Sequence, residues 1–453
     1  MNTPAGAEAA RKIRVLVIAE AANPEWTSVP LVGWSLYNAL AKIADVHLVT
    51  QVRNAPALLR KGLVEGRDFT ALDNETFAAP LYSFAGRLLG RESWTALTAF
   101  SSVAYYSFEW KLWQTFGKRL AAREFDVVHR ITPLSPTAQS LIAGKLGKLG
   151  IPFVLGPLNG GIPWPKQFRQ RQYAEKEYLS HVRSLYRLMP FYRSTLKHSA
   201  AIISGSTFTQ RQLPAWTRSK SIFIPENGVD LGVLGAERSS RATLPLHGAF
   251  VGRLVPYKGA DLLLEAARPF LDSGNLKLHI MGDGPQRPSL LAKVNAWGVD
   301  HSVQFHGWVP HAEVGKKLRE CDFLALPSVR EFGGGVVVEA MALGVTPIVA
   351  DYGGPADLVD DSDGVRVAFS DEASLVAGFR ATIAEMLNLP DQLDVLGKAA
   401  RAKVGQSLTW DAKAAQILRI YRAVLNDVAD LSRFGLDAVG GGSPDQRIQK
   451  AGP

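Results

Sequence analysis

The sequence predicts an α/β protein built from two doubly wound parallel sheets, and three observations carry that expectation. At 453 residues the chain exceeds the length over which a single core keeps growing, so two domains are the default. Short apolar runs alternate with helix-like stretches in both halves, as parallel strands covered on both faces do. Several of those runs end in glycine-containing turns, at the strand ends where such sheets bind ligands.

The first half opens with Arg14–Ala19, an apolar run without helical period, and a loop through Asn23, Pro24 and Pro30. Ser35–Lys42 then reads as a helix and Val46–Thr50 as a second strand. Further strands are expected at Phe125–His129, Phe153–Leu155 and Ala200–Ser204. The pattern returns at Gly248–Gly252, Leu276–Met281, Val303–Phe305, Phe323–Leu326 and Thr346–Ala350. Proline and Asn-Gly in Ile224–Asp230 break any regular element and mark the junction. Thr409–Val428 reads as a helix bearing Trp410, Ile417, Leu418, Tyr421 and Leu425. The division expected is residues 1–11 disordered, 12–225 the basic first domain, 226–408 the second, 409–432 a helix, and 433–453 a disordered tail.

Hydrophobic content of 47% and charged content of 21% are those of a soluble globular protein. The single cysteine, Cys321, excludes an internal disulfide and a thiolate metal cluster, and reads as a buried structural thiol. No apolar run approaches ~18 residues and the N-terminus lacks a signal-like apolar core, so a cytoplasmic protein is expected. The net charge of +9 is unevenly spread: residues 1–225 hold 28 Lys and Arg against 14 Asp and Glu, the remainder 23 against 28. That excess suggests an anionic partner or an anionic membrane face for the first half. Residues 81–116 carry Trp94, Phe100, Tyr105, Tyr106, Phe108, Trp110, Trp113 and Phe116 on one or two helices. The stripe reads either as core or as an interfacial patch. Lys166–Lys197, basic and aromatic together, is a second candidate surface.

The stretch from Arg330 to Ala342 carries the strongest chemical signal, with Glu331 and Glu339 flanking Gly333, Gly334 and Gly335 ahead of a helix-forming run. Glycines opening a helix leave backbone N–H groups uncovered at the positive end of the macrodipole, so a diphosphate can sit there. The two carboxylates are acceptors for sugar or ribose hydroxyls beside it. Arg253 and Lys258, at the end of a strand, supply countercharge. Met281-Gly282-Asp283-Gly284-Pro285 and Phe305-His306-Gly307-Trp308-Val309-Pro310 are further strand-to-turn junctions.

Taken in order, these runs resemble the C-terminal domain of the GT-B glycosyltransferases of family 4 (glycosyl transferases group 1), retaining enzymes that use nucleoside-diphosphate sugars. The matching pieces are Asn227-Gly-Val-Asp230, Val251–Gly259, Gly282–Pro285, the two-glutamate stretch, and Gly353-Gly354-Pro355 with Asp357-Leu358-Val359. The resemblance implies two Rossmann-like domains facing each other across a cleft, with the Thr409 helix crossing back to the first. It further implies that Arg253 and Lys258 hold the diphosphate and Glu331 contacts the donor sugar. The amides of Gly333 to Val336 would hold phosphate, Glu339 the ribose, and Val309 the base, with Gly282 close to the donor. Phe332 stands directly after Glu331, where relatives have glycine.

The first half departs from that pattern. Gly33 is expected to bring its amide to the phosphate, with Ser35 competing as helix N-cap. Where many relatives place two histidines at alternate positions, Val127–Pro133 has His129 and then Ile131. Either His129 takes the role, or Arg130 or Thr132 shapes the site, or the Gly156–Gly161 loop contributes through Asn159 and Gly160. The expected activity is sugar transfer, of hexosyltransferase class and without metal or cofactor, to a glycan or lipid-linked acceptor of anionic character. Peripheral contact with the inner membrane face goes with it, and nucleic acid is not an expected partner. A nucleotide-sugar epimerase of the same fold and a donor-binding protein without catalysis are the competing readings. A dinucleotide oxidoreductase lacks its Gly-x-Gly-x-x-Gly turn.

Overall fold

The computed structural model describes residues 11–74, 94–175, 186–238 and 242–435, with the backbone alone for 94–103 and 174. Residues 1–10 and 436–453, expected to lack structure, lie outside the described set. So do 75–93, which take in 81–93 of the aromatic segment, and 176–185 of the basic one.

The first sheet contains β1 (Arg14–Ala19), β2 (Asp45–Gln51), β3 (Phe69–Leu72), β4 (Val127–Thr132), β5 (Phe153–Leu158), β6 (Ser199–Ser204) and β7 (Ser221–Phe223). It is parallel throughout, in the order β3-β2-β1-β4-β5-β6-β7. The second sheet holds β8 (Leu246–Val251), β9 (Leu276–Met281), β10 (Val303–Gly307), β11 (Phe323–Leu326), β12 (Thr346–Ala350) and β13 (Val365–Val367). Its order is β10-β9-β8-β11-β12-β13. Strand order reverses between β1 and β4 and between β8 and β11, and each reversal opens a crevice at the carboxyl ends of the strands.

Helix α1 spans Val29–Ile43 with Ser28 as N-cap, so it begins before the expected Ser35. Pro30 falls within the first turn, where a missing N–H costs nothing, and Ser35 is an interior helical residue. Strands β3, β7 and β13 were not anticipated; each has only three or four residues and lies at or near a sheet edge. Helix α2 (Trp94–Ala121) buries Tyr105, Phe108 and Phe116 in the cluster under β1 and β2, while Trp110 stays 54% exposed. Its described aromatic residues are mostly core.

The two halves exchange segments. Trp164 and Phe168, from the stretch leading into helix α3 (Arg169–Ala174), are buried in the second domain's core beside Leu254 and Leu263. In the other direction, the last long helix, Trp410–Leu425, lays Ala414, Ile417, Ile420 and Tyr421 on the first sheet with Val127 and Ile131. Chain order continues to Ser432–Phe434, a single 3₁₀ turn packed on the first core, so residues 433–435 are structured rather than part of a disordered tail. Cys321 is fully buried.

Candidate active site

A cleft of about 2050 Å³ runs between the carboxyl ends of the two sheets. The first domain contributes Trp26, Trp34, Pro133, Asn159 and Gly160, and the second Glu226, Tyr257, His311, Glu331, Gly333–Gly335 and Glu339.

Helix α4 spans Gly335–Ala342, with Gly334 as its N-cap at φ 64°, a left-handed conformation that glycine adopts without strain. Gly333 is needed for closeness: a β-carbon there would lie 2.1 Å from Glu226 Oε1 and 2.2 Å from Asn227 Nδ2. Val336 is the second residue of the helix and packs partly on the core around Val337 and Val338. Glu331 projects into the cleft ahead of this turn and is ion-paired with Lys258. Burial opposes charge on Lys258, but the Glu331 carboxylate more than offsets it and holds the ammonium above its ordinary pKa. Glu339 accepts a hydrogen bond from His311 Nε2 at 2.8 Å, which raises the affinity of that imidazole for its proton. His311 was not anticipated, because its partner lies 28 residues away.

Other expected residues sit elsewhere. Arg253 is solvent-exposed after β8, near enough to Lys258 and Tyr257 to lower the proton affinity of both. Gly282 faces the backbone of Gly252, whose oxygen a β-carbon would meet at 1.9 Å, and its N–H donates to the Gly307 carbonyl at 2.7 Å. It joins strand ends, with its amide already engaged. Val309 packs partly against the core cluster of Val314 and Leu318. Gly33 lies inside α1, where a β-carbon would be 2.2 Å from the Ala21 oxygen. Gly33 is interior to the helix rather than in a loop ahead of it and does not line the cleft, and its missing side chain lets the helix pack on the loop that follows β1.

Neither strand-end candidate on β4 reaches the cleft. His129 is fully buried; its Nε2 lies 2.7 Å from the Gly156 carbonyl and its Nδ1 2.6 Å from the Tyr421 hydroxyl. A carbonyl only accepts, so Nε2 carries the hydrogen and Tyr421 donates to Nδ1. Burial pushes this imidazole down to about 4, leaving a neutral structural histidine. Arg130 points to the opposite face, as strand alternation requires. It is buried, donating to the Ala138 carbonyl at 2.6 Å and lying over the Tyr105 ring. It is therefore no acceptor-binding residue in this conformation, and Ile131 is simply core.

Asn159 and Gly160 do line the cleft. Asn159 Nδ2 donates to the Phe332 carbonyl at 3.0 Å across the domain boundary, while Oδ1 accepts from the Gly160 amide at 2.8 Å and the Ser206 hydroxyl at 3.0 Å. One side chain thus fixes the Gly160 loop against the residue after Glu331. The first-domain segment is tied further by Arg171, which bonds Asp261, Glu372 and the Pro256 carbonyl.

Two further groups were not expected, Glu226 in the cleft and Lys413 buried near it. Glu226 lies beside Asn159 and Glu331, and burial together with the Glu331 charge raises it to about 7. Lys413, on the last long helix, is buried, donates to the Pro225 carbonyl at 2.5 Å, and is pushed down to about 7 by burial. Glu226 lies just past β7, at a carboxyl strand end, but that strand has only three residues and does not show in the sequence. Among the described residues no group of three or more His, Cys, Asp or Glu is arranged to hold a metal ion. No described helix is long and apolar enough to cross a membrane.

Residues 247–403 match the model of the family Glycosyl transferases group 1. The D-inositol 3-phosphate glycosyltransferase of Segniliparus rotundus is 34% identical over 211 residues, covering 44% of this chain and 46% of that protein. The 2-deoxystreptamine N-acetyl-D-glucosaminyltransferase of Niallia circulans is 29% identical over 157 residues, 33% of this chain and 40% of that one. The chain spans about half the length or less of these two curated relatives. Among solved structures, Anabaena HepE in complex with UDP superposes with a TM-score of 0.60 at 16% identity, over 91% of this chain and 100% of that one. Sucrose-phosphate synthase from Thermosynechococcus elongatus gives 0.57 at 17% identity, over 92% and 100%. The chain therefore has the GT-B fold, and its second domain, over residues 247–403, matches the glycosyl transferases group 1 family.

Proposed function

We propose that the protein is a retaining, metal-independent hexosyltransferase of family 4, moving a sugar from a nucleoside-diphosphate donor to a hydroxyl acceptor. The observation that carries this reading is the convergence of Glu331, the Gly333–Gly335 turn and Glu339 on one cleft, with Lys258 ion-paired to Glu331. That the relatives named above are glycosyltransferases, and that HepE was solved with UDP, supports it.

As the bond from the sugar's anomeric carbon to the diphosphate breaks, negative charge grows on the leaving oxygen. Lys258 and the amides opening α4 stabilise that charge without a metal. Glu331, with one oxygen on Lys258, keeps acceptor capacity for a sugar hydroxyl. Glu339, oriented by His311, takes the ribose. The acceptor enters from the first domain past Asn159 and Gly160, and the basic balance of that half suits an anionic glycan or lipid-linked precursor. Polysaccharide or glycolipid assembly at the inner membrane face is the setting proposed.

Incubation with candidate nucleotide sugars, with and without acceptor, tests the reading through release of free nucleoside diphosphate and the anomeric configuration of the product. A donor that binds yet yields no transfer to any acceptor overturns it. Co-sedimentation with anionic vesicles at low salt tests the membrane contact, and absence of binding removes it.

A further inference from the structure

The cleft holds a third acid that the reading above leaves unused. Glu226 follows Pro225 at the exit of the first sheet and leans over the turn expected to hold phosphate, its Oε1 occupying the space beside Gly333. Asn159 of the first domain lies beside it, the two side chains flanking Gly205. The charged groups facing it are Glu331, itself paired with Lys258, and Lys413 from the last long helix. A carboxyl is thus placed where an anion is expected to bind. An ionised carboxylate and a diphosphate repel each other there, whereas a neutral carboxyl converts the repulsion into an O–H···O⁻ hydrogen bond.

We propose that Glu226 contacts the donor's diphosphate in its protonated form, donating a hydrogen bond to a phosphate oxygen beside Gly333, so that donor binding takes up a proton from solvent. The inference rests on the donor-site reading above. Burial and the Glu331 charge already hold Glu226 near 7, against the opposing charge of Lys413, so the required form is accessible at neutral pH. The sign follows from linkage: the bound state favours the protonated acid, and affinity falls as pH rises through the value of the free protein.

The test is calorimetric titration with UDP-glucose, and in parallel GDP-mannose, from pH 6 to 8 in buffers of different ionisation enthalpy. Neither probe has a phosphate group that titrates in this interval. The expected result is binding about tenfold weaker at pH 8 than at pH 6, with uptake approaching about one proton at the upper end. Because Lys413 also sits near 7, the control is read in a Lys413→Met background, where adding Glu226→Gln should give binding with a flat pH profile and no proton uptake. Lys413→Met should move the midpoint upward, since the cation that restrains Glu226 is gone. Binding with no uptake, or the same pH slope in the double variant as in Lys413→Met, overturns this inference alone. No binding by either probe at any pH removes the donor site and the inference together.

Discussion

The imidazole of His129 and the phenol of Tyr421, 292 residues apart, meet at 2.6 Å and lock the last long helix onto the first sheet. Because the other ring nitrogen is spent on the Gly156 carbonyl, the pair also holds the start of the cleft loop. This histidine acts on the site by supporting the Gly156–Gly161 loop from beneath.

Acid should therefore weaken the fold through His129. Its pKa is depressed from 6.5 to about 4, so its contribution is complete above the unfolded value and is lost as pH falls from about 6.5 towards 4. The stake is roughly 3 kcal/mol. Denaturant titration across that range should show the loss, and His129→Gln should flatten it. Tyr421→Phe should cost about 1 kcal/mol without abolishing transfer.

Lys258 is the cation set against the glutamate of the glycine turn. Replacement by methionine should lower kcat/KM by at least about a hundredfold, a loss of about 3 kcal/mol in transition-state stabilisation. Arg253→Met, removing an exposed side chain, should have the smaller effect. Steady-state kinetics of nucleotide release compares the two, and equal losses would restore Arg253 to the centre of the site.

Two glycines should fail differently. Gly333→Ala sets a methyl against Glu226 and Asn227 and should weaken nucleotide binding more than stability. Gly282→Ala forces a β-carbon onto the Gly252 oxygen at φ 149° and should destabilise the second domain by roughly 2 kcal/mol or more. Thermal melts with and without nucleotide separate the outcomes.

Arg171 draws two carboxylates and a carbonyl to one guanidinium. Arg171→Met leaves Asp261 and Glu372 facing each other and should cost about 2 kcal/mol, a figure kept modest because Glu372 is partly exposed. Limited proteolysis should then cut within residues 163–175 earlier than in the parent.

How much was legible in the chain depended on distance along it. The glycine turn between Glu331 and Glu339 was readable because helix, turn and both acids lie within thirteen residues. His129 and Arg130 were not, since alternation puts them on opposite faces but says nothing of which helix covers each. Only Tyr421 on one side and Tyr105 on the other decide that neither reaches the cleft. Glu226 was passed over as part of a junction, its neighbours Asn159, Glu331 and Lys413 coming from three distant segments. The short strands β3, β7 and β13 hold too few residues to show a period.

The reciprocal exchange of segments sets a limit on synthesis and engineering. While the chain emerges from the ribosome, the first sheet has its β-strands by residue 223 but lacks the helix carrying Ile417, Ile420 and Tyr421 until residue 425. Meanwhile Trp164 and Phe168 wait for a core that has not yet been made. Each half completes its core with a segment from the other, and a cut at the obvious junction would expose an apolar seam on both pieces.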